Sequence, residues 1–163
     1  MKILAIDPGD IKSGYALLQM PDFKLISFGK EENTELRSLL PRLKENCDFV
    51  ACEMIASYGM AVGRNVFDTC VWIGRFRELL GNLHYIYRKD EKICLCGDMK
   101  AKDANIRQAL IDRYAKFDLK NGKGTKKCPD AFYGVSGDVW AAIAVGVAFY
   151  ETERGYIAYE NPN

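Results

Sequence analysis

The sequence predicts an α/β fold in which helices flank a mixed central sheet, with the element order βββαβαβαα. Apolar segments of strand length alternate with longer segments in which apolar residues recur at helical spacing. Three strand-like segments come first and follow one another through short turns, which is typical of an antiparallel meander. The final segment, "SGDVWAAIAVGVAFYE", is apolar on almost all sides and predicts a helix buried against the sheet.

The meander is predicted from residues 2–30. The apolar run "KILAID" is followed by a turn at Pro8-Gly9 and then by "SGYALLQM", which we expect to pair with it. A third strand is expected in "FKLISFGK", where apolar and polar residues alternate less regularly.

The middle of the chain predicts a helix, a strand and a second helix. The segment "NTELRSLLPRLKEN" has leucines at helical spacing behind an Asn or Thr cap, and Pro41 is expected to kink or end this helix. The short apolar run "DFVACEM" is typical of a strand inside a parallel sheet. The second helix is expected from about Asn65 to Leu80, closed by Gly81.

The last part of the chain predicts a further strand and two helices. The strand is expected in "LHYIYR", and "KICLC" is considered as another strand. A helix is expected to start near Asp103 in "KDANIRQALIDRYA", and the buried final helix near Ser136. Between them, "FDLKNGKGTKKCPDAFYG" is rich in Gly, Lys and Pro and predicts a mobile loop.

Length and composition predict one domain, over residues 1–153, followed by a C-terminal tail over residues 154–163. A chain of 163 residues buries enough surface to fold without disulfides. No segment approaches 18 uncharged apolar residues, and the N-terminus lacks the apolar core of a signal peptide. We therefore expect a cytoplasmic protein with no membrane partner.

The cysteines and the charges restrict the possible ligands. The six cysteines lack paired CxxC spacing and His84 has no cysteine nearby, so a zinc site is not expected. The net charge of +1 is unevenly distributed, because residues 88–127 contain twelve Lys or Arg and six Asp or Glu, a net +6. An acidic ligand such as nucleic acid would use this asymmetry, although solvated charge is the commoner explanation for any one lysine.

Three acidic residues are expected to meet at one edge of the sheet. Asp7 and Glu53 each end an apolar strand, and the carboxyl ends of neighbouring parallel strands lie at the same edge. Asp138 lies in the first turn of the apolar final helix, which must pack over the sheet. Structural alternatives remain open for two of them, since Asp7 suits an Asp-Pro-Gly turn and Asp138 complements a helix dipole. Glu53 lies among apolar residues with no neighbouring cation in the sequence, and an unpaired buried charge is costly.

A metal ion would supply the positive charge that Glu53 lacks. Mg²⁺ binds through a few carboxylates and keeps water and phosphate oxygens in its other positions. Two such ions can activate a water molecule and stabilise the leaving oxygen of a phosphodiester. Acidic residues beside a basic segment therefore indicate phosphodiester hydrolysis, with lysines binding the flanking phosphates.

Three segments carry a resemblance to a known family. "ILAIDPGDIKSGYALL" resembles the opening of RuvC-type Holliday-junction resolvases, which are nucleases of the RNase H-like superfamily, and "GDVWAAIAV" resembles their terminal Asp-Ala-rich helix. The resemblance runs in order from residue 1 to about residue 153, with "VACEMIA" as the middle acidic strand. "KAKDANIRQALIDR" is similar to the segment that phage-type RuvC-like members carry before the final helix.

The resemblance implies an RNase H-like fold and an endonuclease. It implies a homodimer that nicks opposed strands of Holliday junctions, forks or other branched DNA, leaving 5′-phosphate and 3′-hydroxyl ends, in a bacterial or phage-infected bacterial cell. Asp7, Glu53 and Asp138 are implied as catalytic residues and as ligands of Mg²⁺ or Mn²⁺, with two ions in each active site. Cellular members carry another acid one helical turn before the last one, where this chain has Val135. Three candidates for the fourth ligand remain open: Asp130, Asp103 and a water molecule.

The resemblance also implies residues that contact DNA. Lys100, Lys102 and Arg107 match the basic region before and within the third helix, where phosphate contact is expected, although an exposed helical face explains them as well. Tyr58 lies near the place of an aromatic residue that stacks on an opened base, but at a different offset, and a core tyrosine is the alternative. Arg64, at the start of the second helix, is a further candidate for phosphate contact.

Two other functions are compatible with the sequence. The chain is a branched-nucleic-acid binding module without nuclease activity if the acid missing at Val135 is essential. The actin-like ATPase fold also begins with an Asp-x-Gly turn between two strands, but it needs two such domains around a nucleotide, and this chain supplies one.

Overall fold

The computed structural model of the chain describes residues 1–57 and 59–160. It has five strands and five helices in the order βββαβαβααα: β1 (Lys2–Asp7), β2 (Lys12–Gln19), β3 (Lys24–Glu32), α1 (Asn33–Lys44), β4 (Phe49–Met54), α2 (Arg64–Leu80), β5 (His84–Tyr87), α3 (Arg88–Cys96), α4 (Asp103–Tyr114) and α5 (Val139–Glu160).

The strands form one sheet in the order β3-β2-β1-β4-β5. Strands β1, β2 and β3 pair antiparallel, as a meander joined by short turns must. Strands β4 and β5 add in parallel on the other side of β1, because each is reached through a helical crossover. The predicted α/β class and mixed sheet are confirmed.

Helices cover both faces of this sheet. On one face, α1 and α2 bury Leu36, Leu40 and Phe76 against the side chains of β1 and β4. On the other, α5 packs across β1, β2 and β4, and α3 and α4 pack beside it. A Cβ atom at Gly146 of α5 would lie 2.4 Å from Leu18 Cδ1, so glycine at this position allows the helix to lie close to the sheet.

The strand considered in "KICLC" is wrong, because this segment is the second half of helix α3. Within α3, Glu91 and Leu95 are buried while their neighbours are more exposed, and the spacing of four residues is that of one helix face. Asp90 and Glu91 lie in the first turn, where negative charge is favourable. Short apolar segments do not by themselves distinguish a strand from a helix.

The start of α1 also differs from the prediction. Glu32 precedes the helix, and no side chain caps its N-terminus. Asn33 is buried instead: its Oδ1 accepts a hydrogen bond of 2.6 Å from Ser13 Oγ, and its Nδ2 donates one of 2.9 Å to the Gly9 carbonyl. Pro41 lies within α1, which continues to Lys44, so it does not end the helix.

Among the described residues, no helix combines the length and apolar character that crossing a bilayer requires.

Candidate functional site

Asp7 and Glu53 lie side by side at the carboxyl ends of β1 and β4. In the parallel register of these strands, Ile6 pairs with Cys52, so Asp7 and Glu53 are the next residues on each strand. Ala5 and Ala51, two residues earlier, belong to the apolar cluster formed with α5, and side chains alternate along a strand. Both carboxyl groups therefore point to the α5 face, where they lie next to each other.

Asp138 immediately precedes α5 and is held against the sheet at Gly14. Gly14 of β2 pairs with Asp7 of β1. A Cβ atom at Gly14 would lie 2.9 Å from the Asp138 carbonyl oxygen, closer than side-chain carbons approach backbone in proteins. Glycine at this position lets the start of α5 reach the edge of the sheet beside Asp7.

The Asp138 side chain pairs with Lys30 of β3. The Lys30 ammonium contacts Asp138 Oδ2, and both side chains are nearly half exposed. In the part of the chain that the structure describes, no group of three or more His, Cys, Asp or Glu side chains is arranged to hold a metal ion. The positive charge next to the Asp138 carboxylate is thus supplied by Lys30. In a cluster of three carboxylates around a metal ion, the ion would supply it.

We call Asp7, Glu53 and Asp138 the acidic cluster. Burial disfavours the ionised forms of Asp7 and Glu53. Burial raises the pKa of Asp7 to about 8, with smaller contributions from the charges of Glu53 and Asp138. Burial also raises the pKa of Glu53, while the guanidinium of Arg88 acts in the opposite direction on both acids. Divalent cations such as Mg²⁺ prefer carboxylate oxygens, so Asp7 and Glu53 are the residues here that could hold one, whereas Asp138 is paired with Lys30.

Arg88, at the start of α3, is a site residue that the sequence did not indicate. Its Nη1 lies 2.6 Å from Glu91 Oε1, and its Nη2 donates to Asp103 Oδ1. Glu91 is fully buried, and its Oε2 has no hydrogen-bond partner among the described residues. Burial raises the pKa of Glu91 to about 7. In the sequence, "RKDEK" is a run of charges typical of an exposed helix, so nothing in it signals burial of Glu91.

The candidates for a fourth ligand lie in different surroundings. Asp130 accepts hydrogen bonds from the backbone N–H groups of residues 116, 117, 118 and 131. Although desolvation opposes ionisation, these donors hold the pKa of Asp130 well below its usual range. Asp103 pairs with Arg88 and contributes to the electrostatic environment of Glu53. Val135 is fully buried in the core beneath α5.

A small cleft of about 110 Å³ opens beside Asp138. It is lined by Arg88, Asp103, Arg107, Gly137, Asp138 and Trp140. The guanidinium carbon of Arg107 lies 4.7 Å from the centre of the Trp140 ring, which fixes the cation at the mouth of the cleft. Among the predicted DNA-contact residues that the structure describes, Arg107 is therefore the one that lines the same cleft as Asp138.

The other predicted DNA contacts are more distant or are not described. Lys100 and Lys102 line a separate cavity before and at the start of α4, with Asp98. Arg64 begins α2 and is almost fully exposed, with its Nε 3.5 Å from Asp68 Oδ2. Tyr58 lies outside the described residues.

The chain has the fold of solved RuvC structures. A Thermus thermophilus RuvC structure superposes with a TM-score of 0.63 at 15% sequence identity. The superposition covers 94% of this chain and 96% of the RuvC chain. A second T. thermophilus RuvC structure, in complex with a Holliday junction substrate, superposes with a TM-score of 0.64 at 13% sequence identity. This superposition covers 94% of this chain and 95% of the RuvC chain. No protein-family model and no curated protein matches the sequence. The mixed five-stranded sheet and its flanking helices thus have the RNase H-like fold of RuvC.

Proposed function

We propose that the chain is a metal-dependent, structure-specific endonuclease that hydrolyses phosphodiester bonds in Holliday junctions or other branched DNA. The observation that carries this proposal is the pair of adjacent carboxyl groups of Asp7 and Glu53 at the edge of a RuvC-like sheet, with Asp138 beside them. The RuvC structure in complex with a Holliday junction supports branched DNA as the substrate class.

In this proposal Asp7, Glu53 and Asp138 hold two Mg²⁺ or Mn²⁺ ions. The bound ions supply the Lewis acidity that activates a water molecule and stabilises the leaving oxygen. Asp7, Glu53 and Asp138 would hold these ions beside the scissile phosphate, and Arg107, which lines the cleft next to Asp138, would bind a neighbouring phosphate. The oxygen of water forms the new bond to phosphorus as the bond to the 3′-oxygen breaks, leaving a 5′-phosphate and a 3′-hydroxyl.

A cleavage assay with paired variants tests this function. Asp7→Asn and Glu53→Gln keep the size of each side chain but remove one negative charge from the cluster. Each is expected to lower the rate of junction cleavage in Mg²⁺ or Mn²⁺ by about 100-fold or more, on the scale of removing one preorganised electrostatic group. Glu45→Gln, at an exposed position just after α1, removes the same charge elsewhere and is expected to leave cleavage unchanged. Undiminished cutting by both site variants would contradict the proposed site.

A branched-DNA binding module without nuclease activity is the second candidate function. It is favoured by the buried Val135 at the place of the fourth acid and by the pairing of Asp138 with Lys30. Binding of a four-way junction by the wild-type protein, with no cutting of junctions, forks or linear duplex in Mg²⁺ or Mn²⁺, would support this candidate over the nuclease.

We further propose that the chain is of the phage type and acts in a bacterial or phage-infected cell.

We also propose that the chain acts as a homodimer. Helix α2 supports the dimer, because Phe67 and Val71 are 61% and 52% exposed on consecutive turns and Gly74 opens onto free space. A second copy would remove this apolar surface from water. Sedimentation velocity of the purified protein would detect the dimer as the dominant species.

A further inference from the structure

Lys30 and two of the acids belong to one row of residues that crosses the sheet. Lys30 of β3 pairs with Gly14 of β2, and Gly14 pairs with Asp7 of β1. Glu53 of β4 continues the row, because it follows the residue that pairs with Ile6. Residues directly opposite one another on neighbouring strands point to the same face of a sheet. Lys30 therefore points to the α5 face, as the two acids do.

Gly14, in the middle of this row, has no side chain, and the backbone of Asp138 occupies the space above it. A Cβ atom at Gly14 would lie 2.9 Å from the Asp138 carbonyl oxygen and 3.2 Å from the carbonyl carbon. Asp138 is thus held above the strand that separates Lys30 from Asp7. The Lys30 ammonium contacts Asp138 Oδ2, and the negative charge of Asp138 acts on Asp7. The register of the sheet therefore gives Asp138 one charged neighbour of each sign.

The three carboxyl groups of the acidic cluster differ in the positive charge that the protein gives them. Asp138 has an ion pair with Lys30. Within the part of the chain that the structure describes, neither Asp7 nor Glu53 forms an ion pair. The guanidinium of Arg88 acts on both of them, but it is paired with two other acids. A divalent cation would meet unpaired carboxyl groups at Asp7 and Glu53, but at Asp138 it has to displace an ammonium group.

We propose that Lys30 competes with a divalent cation for Asp138, so that the acidic cluster takes up its two ions in a fixed order. Asp7 and Glu53 bind the first Mg²⁺ or Mn²⁺, and Asp138 contributes to the second site only when Lys30 has left it. Lys30 is then a positioning residue, which holds the Asp138 carboxylate while the second site is empty. This inference deepens the proposed function and rests on it, since the ions are those of the proposed active site.

Two effects of Lys30 weaken the second step of ion binding. The ion pair with Asp138 has to be broken, at modest cost because the two side chains are 43% and 49% exposed. The ammonium group also repels a dication that approaches within a few ångströms of it. Together they predict that the second ion binds about tenfold more weakly than it would without Lys30. The first step is affected less, because Gly14 and its strand separate Lys30 from Asp7.

Lys12 provides a matched control for Lys30. It lies on β2 two residues before Gly14, so it points to the same face of the sheet. Its ammonium is 2.9 Å from Glu32 Oε1, and its side chain is 51% exposed. Replacing Lys12 or Lys30 by methionine thus removes the positive charge of a half-exposed ion pair at the same end of the sheet. Lys30 differs in that its partner is an acid of the cluster.

The test is a calorimetric titration of the metal-free full chain with Mn²⁺, in the absence of DNA. Lys30→Met is expected to tighten the weaker of two binding steps about tenfold and to change the tighter step less than about twofold. Lys12→Met is expected to change neither step, and Glu53→Gln is expected to weaken the tighter step. In the Asp138→Asn background, Lys30→Met is expected to have no effect, because the carboxylate for which Lys30 competes is gone.

The outcomes that would overturn the competition are specific. They are equal tightening in Lys30→Met and Lys12→Met, tightening by Lys30→Met that persists in the Asp138→Asn background, a titration of Lys30→Met identical to that of the wild type, and no Mn²⁺ binding at all.

Cleavage assays on the same proteins separate this inference from the proposed function. Tightening that requires both Lys30 and Asp138, in a chain that cuts no DNA, would uphold the competition and reject the nuclease. Cutting of junctions by the wild type, with a Mn²⁺ titration that Lys30→Met leaves unchanged, would do the reverse.

Discussion

Asp7 at the edge of the sheet and Asp130 in the segment between α4 and α5 are both shielded aspartates, and the two have opposite electrostatic environments. Asp130 accepts hydrogen bonds from four backbone N–H groups, which hold its pKa well below the usual range. Asp7 is surrounded by apolar residues and other acids, and burial raises its pKa to about 8. The difference teaches that Asp130 organises its own segment, whereas the fold supplies too little positive charge to stabilise an ionised Asp7 carboxylate.

The largest expected effect on stability comes from Asp130. Asp130→Asn would place an amide NH₂ or a single carbonyl oxygen where two oxygens now accept five N–H contacts. We expect the free energy of unfolding to fall by about 3 kcal/mol, because several buried donors lose their acceptor. Asp7→Asn is expected to leave the stability unchanged or to increase it. Urea denaturation of both variants measures the contrast, and equal losses would contradict it.

A smaller effect is expected at Gly14, where the helix that carries Asp138 meets the sheet. Gly14→Ala puts a methyl group 2.9 Å from the Asp138 carbonyl oxygen, so the start of α5 must move away from Asp7. We expect a loss of about 2 kcal/mol in the free energy of unfolding, typical of overpacking, together with slower junction cleavage. Full activity in Gly14→Ala would show that the placement of Asp138 is not limiting.

The two aspartates also differ in how they make the stability depend on pH. An acid with a raised pKa in the folded state stabilises the fold below its unfolded pKa, and this contribution is lost as the pH rises through the folded value. Without divalent cations, Asp7 should therefore make the melting temperature fall between pH 4 and about pH 8. The lowered pKa of Asp130 has the opposite sign, so its contribution is lost only as the pH falls below about 4.

Calorimetry at a series of pH values measures both slopes. Asp7→Asn should flatten the slope between pH 4 and 8 while leaving the acid limb intact. Added Mg²⁺ should also flatten it for the wild type, because a bound cation favours the ionised carboxylates. If the slope between pH 4 and 8 is unchanged in Asp7→Asn, a group other than Asp7 causes it.

The sequence was informative where local patterns decide the structure. Strands β1 and β4 have apolar runs that suit burial on both faces, and each run ends on an acid, so the meeting of Asp7 and Glu53 followed from their parallel pairing. The second helix and its closing Gly81 were predicted because a positive φ at the C-terminus favours glycine.

The remaining features depend on contacts between distant segments. Arg88 is held by Glu91 and Asp103, and the second of these lies fifteen residues away on another helix. Asn33 suited a cap in the sequence, but its partner Ser13 lies on a different strand. Asn33 and Glu91 are both buried in the folded protein, and their hydrogen-bond and ion-pair partners follow from that burial. No local sequence pattern indicates it.

The strand order has a consequence for synthesis of the chain. Strand β4, which carries Glu53, inserts beside β1 only after the meander and α1 have been made, and Asp138 arrives just before the last helix. These pairings join residues far apart in the chain, so they carry a high loop-closure cost and form late. During translation from the N-terminus, the three carboxylates come together only when α5 has left the ribosome. A growing chain would therefore remain without a complete acidic cluster until α5 has been made.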